Sequence, residues 1–350
     1  ACRRYWDESV PTLEGAFAHP RRDDSFWRTP AGGTDSFRAL DRSSCPVLML
    51  TSWYDLYTEG IFDMWERMTP ARRDNCALLV GAYCHGGRYE KGWAGTPIEF
   101  PGGWCSDDDD LGRALPWFEH AHAGTPFPAK PVPAPRPGQI GYYAIYENAW
   151  HFTDHLTNGP VERTFYLNAG RTLDATPRPS GTITYDYDPR NPVPFKGALC
   201  FGSGGMPVQD PPNFRPDVIS FLSAPFTECV DVRGRMRVRL VCTSDCGDTC
   251  FYVRLSLVKG GRAYPLRDDI TSLCWNRPDY VAGTERTLDF VLSDHAFRIA
   301  PGDVLRLDVS SSCDKFAPHS NFKGLQSIQK TTRVARNSIV TGASCVTLYC

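Results

Sequence analysis

The chain has 350 residues, a formal net charge of −2 and 41% hydrophobic residues. That length exceeds one average domain, so two or more are expected, each with ordinary core-forming content. Acids and bases are interspersed, which gives no electrostatic reason to expect nucleic acid or an anionic membrane as partner. No apolar run approaches the roughly 18 residues that span a bilayer.

The opening stretch ACRRYWDESVPTLEG has neither an apolar signal-peptide core nor a starting Met. It reads as a chain processed or truncated at its N-terminus, with any targeting signal out of view. Residues 1–45 are rich in aromatics, proline and charge, without strand alternation, and predict irregular or short helical structure. The texture then changes. PVLMLTS is a short, continuously apolar run, the pattern of a strand buried on both faces. GIFDMWERM places Ile61, Met64 or Trp65, and Met68 at helical spacing. CALLVGAY is a second buried strand. A strand–helix–strand unit makes the two strands parallel, joined by a right-handed crossover.

Further along, CSDDDDLGRALPWFEHAHAG predicts a helix. Its acidic run, Asp107–Asp110, is read as a solvated start near the positive end of the helix dipole rather than a calcium site. Six prolines between Pro126 and Pro137 predict a stiff, extended linker at a domain boundary rather than an SH3-type ligand. Beyond it the alternation is that of strands. MRVRLVC points Met236, Val238, Leu240 and Cys242 to one face, and FYVRLSL does the same with Phe251, Val253, Leu255 and Leu257. TLDFVLS and LRLDVSS repeat the pattern with Leu288, Phe290 and Leu292, then Leu305, Leu307 and Val309. Broken by Gly, Pro and Asp turns, this predicts an antiparallel sandwich, with a jelly roll as the leading choice.

Fourteen cysteines are spread too thinly for a disulfide scaffold. The tightest group is Cys242, Cys246 and Cys250. No C-x-x-C pair or nearby His accompanies it, so small core residues flanking a turn are expected there rather than a zinc site.

Two polar residues stand at matching places. Asp55 follows the first buried strand and His85 follows the second. In a parallel sheet both strands end at the same edge, which is where doubly wound folds place their ligands. A carboxylate there can orient an imidazole and stabilise its cation, while the other ring nitrogen takes a proton from a nucleophile. The order Asp before His suits an α/β-hydrolase triad. From these residues alone a second reading stays open: a buried Asp turn and a surface His.

The motifs carry a resemblance. PVLMLTSWYDLYTEG is similar to the segment bearing the acid in the cocaine-esterase-like and X-prolyl dipeptidyl-peptidase family. LLVGAYCHGG resembles that family's G-P-W-x-H segment bearing the histidine. HPRRDDSFW, LPWFEHAHAG, YYAIYENAWH, TFYLNAG, DYDPRNPVP, RPDVISFLSAPF and LRLDVSSSCDKFAPHSN resemble further family segments, in the family's order and across nearly the whole chain. The resemblance implies an α/β plus all-β fold. Residues 1–45 would be the remainder of a cap domain, and 46–125 the C-terminal part of an α/β-hydrolase domain. Residues 126–138 would be the linker, and 139–350 a C-terminal jelly-roll β-sandwich. It implies a serine hydrolase of esters, amides or X-Pro peptides working through an acyl-enzyme, with His85 as general base and then acid, Asp55 orienting it, and no metal or organic cofactor.

Family members carry the nucleophilic serine on an elbow N-terminal to these segments. This sequence holds no G-x-S-x-G, and Ser203 in CFGSGGM lacks the first glycine. The nucleophile and the oxyanion donors are therefore expected from sequence outside this chain or from a complementary chain, and the chain alone is expected to be inactive. A homo-oligomer stays open. Within the covered part, G-P-W-x-H reads Gly81-Ala82-Tyr83-Cys84-His85, so Tyr83 takes the place of the family's Trp as an aromatic wall and Cys84 is expected to be a packed thiol. Related α-amino-acid ester hydrolases grip the substrate ammonium with carboxylates two and three residues beyond the acid, where this chain has Tyr57 and Thr58. Trp53, Tyr54 and Tyr57 are candidates for an aromatic acyl pocket, with core packing as the alternative. A rival of another class is a degenerate homologue whose jelly roll serves binding or assembly.

Overall fold

The computed structural model describes residues 40, 42–85, 98–103, 135–197, 206–275, 278–316, 318–323 and 331–350, with isolated positions before residue 40, between 115 and 123, and at 199. The acidic run Asp107–Asp110 and Ser203 lie outside the described residues, as does the proline-rich stretch before residue 135. Residues 115, 117–119 and 123 are helical, as LPWFEHAHAG suggests.

Two elements set the frame. Strand β1 (Val47–Tyr54) and strand β2 (Cys76–Cys84) pair in parallel, in register from Val47 against Cys76 to Ser52 against Gly81. Helix α1 (Thr58–Arg67) crosses between them and buries Phe62 and Trp65. Its first turn is tied to the end of β1 by Thr58, whose Oγ1 donates to the Asp55 carbonyl at 2.7 Å. Helix α2 (Pro70–Arg73) follows, with Thr69 capping it by accepting from the Arg72 N–H and Pro70 in the first turn. Arg72 is buried and closes the bottom of the unit by donating to the Leu40 and Cys45 carbonyls.

Strand β3 (Ile140–Ala144) adds to β2 in parallel, and strand β4 (Ala149–Thr153) returns antiparallel to it, completing a four-stranded mixed sheet in the order β1-β2-β3-β4. The hairpin between β3 and β4 is tight, with Tyr146 and Asn148 at positive φ. The expectation that everything from about residue 139 joins one antiparallel domain therefore does not describe these two strands. Their sequence reads as strand either way. The partner is decided by β2, whose Leu78, Leu79 and Val80 take Ile140, Gly141 and Tyr142 as neighbours.

The remaining strands form a second, larger sheet. They are β5 (Glu162–Asn168), β6 (Thr172–Asp174), β7 (Gly181–Tyr187), β8 (Ile219–Ser223), β9 (Val230–Ser244), β10 (Cys250–Lys259), β11 (Arg262–Ser272), β12 (Arg286–Ile299), β13 (Val304–Ser310), β14 (Ala335–Thr341) and β15 (Cys345–Tyr349). The hydrogen-bonded order is β11-β10-β13-β8-β6-β5-β15-β9-β14-β7, with β12 on β9. Every pairing is antiparallel except β6 with β8. The alternation read from MRVRLVC is realised in β9, whereas FYVRLSL and LRLDVSS are buried on both faces; Leu240, Leu255 and Leu307 are fully buried. Cys242 ends β9's apolar stripe, Cys246 lies in the turn and Cys250 opens β10. Burial pushes all three thiols up, Cys246 to about 11.

The two sheets share a core. One continuous apolar cluster runs from Trp53, Tyr54 and Val80 to Leu255, Phe297 and Leu307. Backbone joins them as well. The Ile145 N–H donates to the Ala296 carbonyl at 2.9 Å, and the Arg298 N–H donates to the Ile145 carbonyl at 2.8 Å.

Candidate active site

The parallel β1–β2 pair delivers Asp55 and His85 to one edge. The His85 Nδ1 lies 3.1 Å from Asp55 Oδ2. The other carboxylate oxygen, Oδ1, accepts the Tyr57 N–H at 2.8 Å. Asp55 is held from its backbone too: its N–H donates to the Ser52 carbonyl, and its own carbonyl accepts from the Thr58 N–H. The carboxylate side chain is 12% exposed and the imidazole 39%. A fixed, mostly buried acceptor thus faces a ring that reaches solvent. With Nδ1 donating to the carboxylate, the neutral ring presents Nε2 as an acceptor, the form that can take a proton from a hydroxyl.

The aromatic candidates separate into two groups. Tyr57 stands at the edge, half exposed, with its ring edge-on to the His85 imidazole at a centroid distance of 5.1 Å. Tyr83 is half-buried beside it in sequence; its carbonyl accepts from Ser52 Oγ, and its ring fills the space where a side chain at Gly81 would sit. Cys84 is fully buried. Trp53 and Tyr54, by contrast, are fully buried in the core between the two sheets. The Trp53 indole N–H donates to the Tyr143 carbonyl at 2.6 Å, and the Tyr54 hydroxyl lies 3.4 Å from His295 Nε2. The core-packing alternative describes these two residues, because Arg267 of β11 and His295 of β12 pack against both rings.

Sequence reading missed their partners. Arg267 and His295 are both fully buried, and both come from the larger sheet. Residues more than 200 positions away leave no local signal beside Trp53. Among the described residues, no group of three or more His, Cys, Asp or Glu side chains is placed to hold a metal ion. No described helix is long and apolar enough to cross a membrane.

The family model described as the X-Pro dipeptidyl-peptidase C-terminal non-catalytic domain matches residues 139–347. The chain belongs to this family. The resemblance carried by the motifs therefore holds, and it extends over most of this family member. It is 27% identical to cocaine esterase of Rhodococcus sp. (strain MB1 Bresler), over 88% of this chain and 55% of that protein. In structure it is similar to an aminopeptidase from the marine sediment archaeon Thaumarchaeota archaeon, with a TM-score of 0.77, 19% identity, and coverage of 100% of this chain and 62% of the other. It is also similar to an α-amino acid ester hydrolase, with a TM-score of 0.71, 19% identity, and coverage of 98% and 61%. The chain thus spans just over half the length of the cocaine esterase and about three fifths of the two solved chains. It is homologous to the C-terminal parts of serine hydrolases of this group.

Proposed function

We propose that this chain is the C-terminal portion of a serine hydrolase that cleaves ester or amide bonds through an acyl-enzyme. His85 acts as general base and then general acid, and Asp55 orients it. The observation that carries the reading is the 3.1 Å Asp55–His85 contact at the C-terminal edge of the parallel β1–β2 pair. The nucleophilic serine and the oxyanion donors come from sequence outside these 350 residues. That is in keeping with the absence of a G-x-S-x-G elbow and with the share of the relatives that the chain spans. The relatives' names point to small ester or peptide substrates, and Tyr57 is the aromatic side chain best placed to meet one. Residues 46–125 are read as hydrolase domain, with the larger sheet as a jelly roll folded over its own core.

The test uses a serine-directed fluorophosphonate. The hydrolase assembled from this chain and its nucleophile-bearing part is labelled at one serine and turns over an aryl ester, and His85→Ala abolishes both. The 350-residue chain alone is not labelled. Losing the nucleophile costs on the order of 10⁶ in turnover in a well-studied protease. Stoichiometric labelling of a serine in the chain alone, lost on His85→Ala, would show a nucleophile within this sequence and overturn the reading.

A further inference from the structure

The β1–β2 pair is irregular where it matters. Its register shifts between Ser52 and Tyr54: two residues of β1 span three of β2, so that Tyr54 meets Cys84 where regular pairing would set it against Tyr83. Successive side chains of a regular strand point to opposite faces. Here Trp53 and Tyr54 both turn to the same partners. The Arg267 guanidinium lies 5.9 Å from each ring centroid, and the His295 ring lies 5.2 Å from Trp53 and 5.7 Å from Tyr54. Bulges bend a strand and re-aim side chains. The extra residue lies on β2, just ahead of His85, and across from it Trp53 and Tyr54 lead directly into Asp55.

We infer that Arg267 and His295, supplied by the larger sheet, are positioning residues that hold the Trp53–Tyr54 end of β1 opposite the β2 bulge and thereby aim the Asp55 carboxylate at His85. The inference rests on the reading of Asp55 and His85 as a catalytic pair. It gives a sheet matched by a model described as non-catalytic a direct part in shaping the site.

The bonding at the clamp is directional. Arg267 Nε donates to the Ser293 carbonyl at 3.2 Å, Nη1 to Leu266 at 2.9 Å and Nη2 to Asp294 at 2.5 Å. Three carbonyls fix the plane of the guanidinium between the two rings. His295 Nδ1 accepts the Ala296 N–H at 2.9 Å. In the neutral ring Nε2 then carries the proton and donates to the Tyr54 oxygen, and the Tyr54 hydroxyl donates to the Pro265 carbonyl at 3.5 Å. Burial and the neighbouring Arg267 push the His295 pKa well down, which keeps that ring neutral, and burial pushes the Tyr54 hydroxyl up. The end of β1 is thus held by one cation that faces two rings and one imidazole whose tautomer is set by backbone.

The test reads the Asp55–His85 hydrogen bond itself. In this chain with isotope-labelled histidine, the low-field His85 Nδ1–H proton is followed by NMR. Asp55→Asn removes it. Arg267→Met and His295→Phe are expected to remove it or shift it strongly, and His295→Gln, which keeps a donor and an acceptor, to restore it. Arg298→Met, at the same junction between the sheets but away from β1, is expected to leave it in place. Near-ultraviolet circular dichroism confirms that each variant is folded. If Arg267→Met does not fold, His295→Phe against His295→Gln decides. In the assembled hydrolase the clamp variants lower kcat by about 10²-fold with KM little changed, the cost of roughly 1 Å of misplacement. A resonance that persists in folded Arg267→Met and His295→Phe overturns the inference and leaves the pair intact. A resonance lost equally in Arg298→Met also overturns it, since loosening of the junction would then be enough. A parent resonance indifferent to Asp55→Asn overturns the pair and the inference together.

Discussion

Asp55→Asn separates what the carboxylate does for catalysis from what it does for folding. An amide at that position keeps one oxygen to accept the Tyr57 N–H, now at 2.8 Å, but turns an NH₂ donor toward His85 Nδ1. The imidazole answers by moving its proton to Nε2, and the atom that should accept a proton becomes a donor. The lost charge adds a second effect. At 3.1 Å two unit charges interact by about 1 kcal/mol in water and about 5 kcal/mol at the effective dielectric of a protein surface. With the imidazole 39% exposed, solvent screens the pair and the lower figure applies. The tautomer supplies the rest: the equivalent change in a well-studied protease costs about 10⁴ in kcat. Folding stability should fall by only about 1 kcal/mol, because the backbone bonds of Asp55 to Ser52 and Thr58 are untouched. The assays are steady-state hydrolysis of an aryl ester by the assembled hydrolase and urea unfolding of this chain. A folded variant with kcat within tenfold of the parent would refute the reasoning.

Other outcomes follow from the larger sheet. Asp308→Leu strands the buried Arg306, whose Nε donates to the carboxylate at 2.8 Å, and should cost about 3–5 kcal/mol in urea unfolding, with the double variant Arg306→Met, Asp308→Leu recovering most of it. Burial pushes the Asp269 carboxyl up to about 6. The folded chain therefore holds that proton more tightly than the unfolded one, and the stability it adds is full below about pH 4 and lost as pH rises through about 6. Asp269→Asn should flatten the fall in unfolding free energy between those two values, by up to about 3 kcal/mol. Cys242, Cys246 and Cys250, with thiols raised by burial, should resist an aromatic disulfide reagent under native conditions, while the exposed Cys45 and Cys229 react and all become reactive in denaturant.

What could be read from sequence was local and periodic. The apolar runs ending at Tyr54 and Cys84, with a helical stripe between them, were enough to bring Asp55 and His85 to one edge, because a parallel crossover leaves little choice. Alternation placed Leu240, Leu255 and Leu307 inside. Partners far along the chain were not legible. IGYYA is apolar toward both faces, so nothing in it says whether β3 extends the first sheet or opens the second. WY before the acid looks like a pocket wall until Arg267 and His295 close over it, and neither of those residues advertises its target.

The β3–β4 hairpin has a consequence for how such a chain can be shuffled. The family match begins at residue 139, yet β3 at 140 is hydrogen-bonded to β2 and only β5 onward belongs wholly to the larger sheet. A recombination breakpoint at 139 would cut between a strand and its neighbour. The donor cassette would carry two orphan strands with Tyr142, Tyr143 and Ile145 stripped of cover, and the recipient would be left with β2 as a raw edge. A viable exchange has to cross in the link between Thr153 and Glu162, so inheritance of this unit as an interchangeable part runs by a seam some fifteen to twenty residues away from where sequence similarity draws it.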